Sequence, residues 1–457
     1  MRTLFIDGTW VEPATEAGRD VIDPSRLTVL DRVADGSPSD VDRAVRAADA
    51  ARSGWFGLPQ SERIARLREC LARVASDADG LARLESRETG APLRETRWGV
   101  QRLLERAERQ FAAPSPVEGV VAVLGAAPSP LVAWIDGIVP RLAGGATVVL
   151  KPAASSPLTS LRLADLCASL PSGVLNVVTG GADTGRSMVV HPGVRSVFFV
   201  GSTSSLTDVE ALAADRPVVA VVGTNDPLIV CADADIEMTV RVAASARLLR
   251  SGQQCRAPRR FYVDRAVANG FVTALHEFVG LLDVDDPEKA TTEIGPLVSR
   301  DGARKVERQI ANLMRAGATL VMGGFRFRPS GLPGHFMQTT VLTNVPHARH
   351  SVENAIDGPV FTVTPFDDLS AAVDMANDGA RTRTATVFTR DPARAERLAD
   401  ALRVRTVWTN DPLAGSSDVG PCDGLVAETD EPTVDRPGIG GVEAIHSRSW
   451  WLAPRGS

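Results

Sequence analysis

The chain has 457 residues, 44% of them hydrophobic and 23% charged, which excludes a disordered polymer and is too long for one ordinary core. It contains no apolar run of the roughly 18 residues that a membrane span needs, and a net charge of -6 offers no basic footprint for nucleic acid. Five cysteines stand far apart with no Cys-x-x-Cys pair and no histidine at ligand spacing, so neither a zinc site nor a disulfide framework is expected.

Asp7-Gly8 interrupts the N-terminus before a secretory h-region could form, so a cytoplasmic protein is expected. Phe5 to Trp10 reads as a short hairpin turning at Asp7-Gly8. Ser37-Pro38 then opens a helix: Ser37 can cap it, Pro38 fits its first turn, and Val41, Ala44, Val45 and Ala48 form one stripe. A second helix carries Ile64, Leu67, Leu71 and Val74, a third ends near Gly90, and a fourth runs past Val100 and Leu103 to Phe111. The first part is therefore expected to be largely helical.

From Gly119 the pattern changes to short β-branched runs: Val120 to Leu124, Thr147 to Leu150, Val174 to Val178, Val197 to Val200 and Val218 to Val222. Near-continuous apolar strands alternating with helices predict a parallel sheet covered on both faces. A helix-like run from Ile236 to Arg250 follows, and after Cys255 a second strand series: Arg260 to Val263, Thr319 to Met322, Phe361 to Pro365, Ala385 to Phe388 and Thr406 to Thr409. The fold class expected is α/β, with two consecutive parallel-sheet units meeting near residue 223: residues 1–222 are expected to form the first unit, 223–440 the second, and 441–457 a tail.

Ser251-Gly252-Gln253-Gln254-Cys255 lies between the helix-like run and a strand, so it should be a tight, backbone-crowded loop presenting one thiol. Arg256, Arg259 and Arg260 follow at once and favour a thiolate; a phosphate partner is a further possibility for them. The competing reading of Cys255 is a small buried hydrophobe. Other single residues take structural readings. His347 and His350 sit in a turn-rich segment where solvation is expected, Tyr262 belongs in a core, and Asn225-Asp226 precede Pro227 as a turn.

In order along the chain, these stretches resemble the aldehyde dehydrogenase superfamily. Leu150-Lys151-Pro152-Ala153 resembles the lysine segment beside the adenosine ribose, and Phe199-Val200-Gly201-Ser202-Thr203 the loop at the cofactor pyrophosphate. Gly252-Gln253-Gln254-Cys255 resembles the nucleophile motif, with Glu293 to Leu297 and Gly358-Pro359-Val360 as further landmarks. The resemblance implies a nicotinamide-binding domain before a catalytic one, an active-site cleft between them, and a 441–457 tail able to supply an exchanged strand. It makes Cys255 the nucleophile toward an aldehyde and Lys151, Gly201 and Ser202 contacts for NAD or NADP, and it implies a homodimer.

Departures from the family sit at the chemistry. Pro128 falls where an asparagine oxyanion donor is expected, and proline has no N–H. Val221 stands where a glutamate base would activate water. Ala154, Leu206 and Ala355 replace a glutamate, a glycine and a ribose-binding glutamate, which weakens the expected dinucleotide site. Asp430 to Thr433 replaces a family segment at the substrate mouth, and Trp450-Trp451 is an interface anchor or a local core. Three readings remain open on sequence: oxidation of an aldehyde or reduction of an acyl thioester, with coenzyme A or a carrier-protein thiol as acyl partner; non-redox acyl transfer, condensation or isomerisation on the same fold; and a non-catalytic pseudoenzyme.

Overall fold

The computed structural model describes residues 3–255, 257–348, 355–379 and 382–411. The 441–457 tail, Asp430 to Thr433, Arg256 and His350 lie outside them.

At the N-terminus, β1 (Leu4–Ile6) and β2 (Thr9–Val11) form the expected hairpin. Asp7 (φ 55°) and Gly8 (φ 77°) both take positive φ, as a two-residue hairpin turn matching the strand twist requires. The expectation of an otherwise helical first part misses a second antiparallel hairpin, β3 (Gly18–Ile22) with β4 (Val29–Ala34). Gly18-Arg19-Asp20 gives its first strand no apolar alternation to read. Four helices follow, α1 (Pro38–Gly57), α2 (Gln60–Ser76), α3 (Ala78–Thr89) and α4 (Leu93–Phe111). Ser37 accepts from the Asp40 N–H while the Asp40 carboxylate accepts from the Ser37 N–H, so both ends of the cap are satisfied. Gly90 ends α3 at φ 79°, where only glycine is unstrained.

The first sheet adds β5 (Val120–Leu124), β6 (Thr147–Lys151), β7 (Leu175–Val177), β8 (Val194–Gly201) and β9 (Val218–Val222). Its strand order is β2-β1-β7-β6-β5-β8-β9, parallel from β7 to β9. Every residue of β5 and β6 is buried, as continuous valine-rich runs demand of strands covered on both faces. The chain leaves β5 toward β6 and β7, then returns to place β8 on its other side. That reversal opens a crevice beyond the carboxyl ends of β5 and β8.

A second seven-stranded sheet comprises β10 (Pro227–Val230), β11 (Arg260–Asp264), β12 (Thr319–Met322), β13 (Thr340–Thr343), β14 (Val360–Phe366), β15 (Thr384–Phe388) and β16 (Thr406–Thr409), in the order β12-β13-β14-β11-β10-β15-β16. It is parallel except for the β12–β13 pair. Sequence periodicity misses β13 and the central strand β10. The latter opens on proline, tolerated in a sheet interior only at a strand's first position.

Residues 223–226 alone separate β9 from β10, so the carboxyl edge of the first sheet faces the amino edge of the second. Asp226 fixes this junction: its carboxylate accepts from the Thr224 hydroxyl at 2.6 Å, the Arg383 N–H at 2.9 Å and the Thr384 hydroxyl at 2.9 Å. Its role therefore exceeds that of a turn residue. No helix among the described residues is long and apolar enough to cross a membrane.

Candidate active site

A cleft of about 1000 Å³ lies between the two sheet edges and is lined by Lys151, Gly201, Ser202, Pro128, Val221 and Cys255, among others. The four residues singled out for chemistry thus open onto one space. Cys255 is half-buried and in no disulfide. Its peptide is held firmly: the Cys255 carbonyl accepts from the Thr224 N–H at 3.1 Å, the Thr224 hydroxyl at 3.2 Å and Arg259 Nη1 at 3.1 Å.

The helix before this loop spans Ile236–Leu248, shorter than the sequence suggests, because Arg250 and Ser251 both turn left-handed (φ 51° and 57°). Gly252 continues the turn at φ 78°, and a Cβ there would lie 2.1 Å from the Gly358 carbonyl oxygen. Two non-glycine residues in this region cost about 1–2 kcal/mol each, and the surroundings hold them there. The Arg250 N–H donates to Glu95 at 2.7 Å, its side chain to Glu85 at 2.7 Å and to the Pro128 carbonyl at 2.8 Å. Ser251 Oγ donates to the Gly295 carbonyl at 2.8 Å, and the wholly buried Arg247 donates to the carbonyls of Gly252, Ile356, Gly358 and Val360. Burial, then the neighbouring Arg259 charge, pulls Arg247 down to about 9.

Helices α3 and α4 place three wholly buried carboxylates behind the loop. Burial raises Glu85, against its ion pair with Arg250, and pushes Glu88 and Glu95 up to about 7. Glu88 accepts from the N–H groups of Leu158 and Thr159, capping the helix Leu158–Leu166. None of this network is readable from sequence, since glutamates spaced along an amphipathic helix normally mark its solvated face.

The positions where chemistry departs from the resemblance are also visible. Pro128 lines the cleft, and its carbonyl is taken by Arg250. Neighbouring Ser129 is buried, with Oγ 3.4 Å from Gln254 Oε1. Val221 is buried against the first core yet reaches the cleft, and β9 reads Val-Val-Ala-Val-Val with no carboxylate. Ala154 and Ala355 line the cleft too, whereas Leu206 turns into the core with Val209 and Ala213.

At the first-sheet end, Ser202 caps the helix Thr203–Ala213, accepting from the Ser205 N–H, and its hydroxyl clusters with those of Ser204 and Ser205 at 3.0 and 2.9 Å. This helix start after β8, with its N–H groups and hydroxyls on the cleft, is suited to an anionic phosphate. Lys151 Nζ donates to the carbonyls of Pro152 at 2.7 Å and Gly180 at 3.2 Å. Burial, reinforced by Arg19, lowers it to about 8.

Of the arginines after Cys255, the two that are described, Arg259 and Arg260, are committed to partners within the chain. Arg260 is tied to the carbonyls of Asn225, Met375, Ala376 and Asp378 and to the hydroxyls of Tyr262 and Thr382. Arg259 donates to the carbonyls of Thr224, Cys255 and Gln254 and to Asp357. His347 is likewise no solvated loop residue: its Nδ1 lies 3.1 Å from the hydroxyl of buried Tyr262 and its Nε2 3.1 Å from Asp378. No group of three metal-ligating side chains occurs among the described residues.

This arrangement has known counterparts. The profile of the aldehyde dehydrogenase family matches residues 10–114 and 104–427. A chloroplastic aminoaldehyde dehydrogenase of Arabidopsis thaliana is 32% identical over 443 residues, covering 90% of this chain and 88% of that protein. The 3,6-anhydro-alpha-L-galactose dehydrogenase of Streptomyces coelicolor is 35% identical over 433 residues, covering 89% and 88%. Among solved structures, lactaldehyde dehydrogenase from Escherichia coli superposes with a TM-score of 0.86 at 26% identity, covering 90% of this chain and 91% of that one. A betaine aldehyde dehydrogenase variant from Staphylococcus aureus in complex with NAD+ gives 0.86 at 29% identity, covering 90% and 89%. Two edge-to-edge α/β sheets, a cysteine loop between them and relatives matching over nine-tenths of the chain lead to one assignment: this protein belongs to the aldehyde dehydrogenase family.

Proposed function

We propose that this chain is a divergent aldehyde dehydrogenase in which Cys255 Sγ adds to the carbonyl of an aldehyde, forming a thiohemiacetal that is oxidised to an acyl thioester. The observation carrying this reading is that Cys255, Lys151, Gly201 and Ser202 share one cleft. In this reading the first sheet's half holds the dinucleotide and the second carries the nucleophile. Solved relatives are complexes with NAD+ and with NADP. The Thr203–Ala213 helix start fits a pyrophosphate, and Lys151 keeps one N–H beyond its two carbonyl bonds for a ribose hydroxyl. When bound, the nicotinamide supplies the hydride acceptor.

The chain's own residues do the rest. Thr224 and Arg259 hold the Cys255 peptide, and Pro128 and Val221 give the cleft neither a side-chain donor nor a carboxylate at their own positions. Proline at position 128 offers no donor to the oxyanion that forms on the substrate. Loss of one such donor costs about 10²–10³ in rate, so turnover is slow compared with an enzyme that has it.

A second reading, non-redox acyl transfer through Cys255, is favoured by the absence of a carboxylate from β9. Calorimetric titration with NAD, NADP and their reduced forms separates the two. Binding of one form, with aldehyde-dependent formation of reduced nicotinamide that Cys255→Ala abolishes, supports the first. Failure of every form to bind at millimolar levels removes it and leaves the second.

A further inference from the structure

β9 carries no base, yet two carboxylates do line the cleft among the described residues, Asp208 and Asp357. Asp208 belongs to the Thr203–Ala213 helix, on the first-sheet side with the serine cluster. Asp357 stands on the opposite wall, just before β14, and its position relative to the nucleophile is fixed by one arginine. Arg259 Nη2 donates to Asp357 Oδ1 at 2.8 Å, while Nη1 of the same guanidinium donates to the Cys255 carbonyl at 3.1 Å. Arg259 itself is almost wholly buried and cannot swing away without breaking its bonds to the carbonyls of Gln254 and Thr224. A single guanidinium thus separates the carboxylate from the peptide of the nucleophile.

Among the described residues the second oxygen of Asp357 is not similarly tied. Its ion-pair partner, Lys305 Nζ, is 3.9 Å away, beyond hydrogen-bond length, and the side chain is 47% exposed. A smaller cavity of about 230 Å³ is lined by the adjacent Ile356 and shares with the cleft Asn225 and both partners of Asp357, Arg259 and Lys305. Its remaining wall is rich in polar groups, including Tyr262, Asn312, Thr362 and Thr364. A polar cavity of that size holds several waters, each needing about 30 Å³ and two to four polar partners.

From this juxtaposition we infer that Asp357 is the general base that activates water against the acyl thioester on Cys255, drawing the water from the side cavity. The inference rests on Cys255 acting as the acylated nucleophile. In the step, Asp357 Oδ2 takes a proton from water as the water oxygen bonds to the acyl carbon and the carbonyl electron pair moves onto its oxygen. Collapse of that adduct re-forms the carbonyl and breaks the C–S bond, releasing a carboxylic acid and the Cys255 thiolate. The proton on Asp357 then returns to solvent. No oxidant or reductant takes part, so the step can be examined without a dinucleotide.

The probe is p-nitrophenyl acetate, which acylates a reactive thiol and reports it as nitrophenolate. Wild-type enzyme is expected to give a burst of one nitrophenolate per Cys255, followed by steady turnover. Asp357→Asn is expected to keep the burst and lose turnover by about 10²-fold, the range for a general base, with acetyl-enzyme accumulating in the intact mass spectrum. The retained burst shows that the variant is folded at its nucleophile. Asp357→Glu, which restores a carboxylate, is expected to recover part of the rate. Deacylation of Asp357→Asn at the wild-type rate overturns the inference. So does a wild-type acyl-enzyme that turns over only when coenzyme A is added, which leaves the nucleophile in place and makes a thiol the acceptor. Absence of any burst that Cys255→Ala removes overturns the nucleophile reading as well.

Discussion

Three consecutive left-handed residues, Arg250, Ser251 and Gly252, aim the thiol, and only the last is a glycine. Glycine at that point is legible in the sequence as a close backbone approach. The other two are not, because nothing local favours positive φ for arginine or serine; the bonds to Glu95, Glu85 and Gly295 that hold them come from distant segments. Replacement of Gly252 by alanine puts a methyl group 2.1 Å from the Gly358 oxygen in a conformation that L-residues avoid. The expected outcome is a loss of at least about 2 kcal/mol in urea unfolding and a lower burst amplitude with the thiol probe. Arg247→Met should cost more, on the order of 3–5 kcal/mol, because it removes the guanidinium from four buried carbonyls, of which Gly358 keeps the Val360 N–H. An unchanged urea midpoint for Arg247→Met would show that the guanidinium adds nothing beyond its aliphatic packing.

At the scale of elements, α3 and α4 brace the Cys255 loop through Glu85 and Glu95, and α3 caps the Leu158–Leu166 helix through Glu88; burial raises all three, Glu88 and Glu95 to about 7. The sign of the resulting pH dependence follows from linkage. Glu88 and Glu95 have folded values raised above the ordinary carboxylate value near 4.5, so the folded chain retains protons that the unfolded chain has lost. Their contribution to stability is complete below about 4.5 and is lost as the pH rises through about 7. Glu95→Gln keeps an oxygen to accept from the Arg250 N–H but has no proton to lose. Its thermal midpoint should therefore fall less than the wild type's between about pH 5 and about pH 8, measured at matched ionic strength; identical slopes would place the titration elsewhere. Elements with one buried face or two were legible in the sequence, hence the four helices and the valine-rich strands. Strands β3 and β10 escaped because charge or proline hides their period, and the carboxylate brace escaped because pairing across more than 150 residues has no local signature.

For the whole molecule, what matters is that the two sheets meet edge to edge through a four-residue junction clamped by Asp226. The amino edge of the second sheet brings Cys255, Arg259 and Asp357 to the cleft; the carboxyl edge of the first brings Lys151, Gly201 and Ser202. A dinucleotide bound as proposed, with its nicotinamide at Cys255, would span both halves, so its binding energy would stabilise the chain as one unit. At a free concentration 100-fold above its Kd, a ligand specific for the folded state adds about 2.7 kcal/mol, which for a chain of this size raises the midpoint by a few degrees. The expected calorimetric result is one transition that moves upward with NAD or with NADP. Lys151→Met should reduce the rise, because it removes both a cation and the donor proposed for the ribose. Two transitions, of which the dinucleotide moves only one, would mean that the halves bind and unfold separately and that the cleft closes around its ligand only after binding.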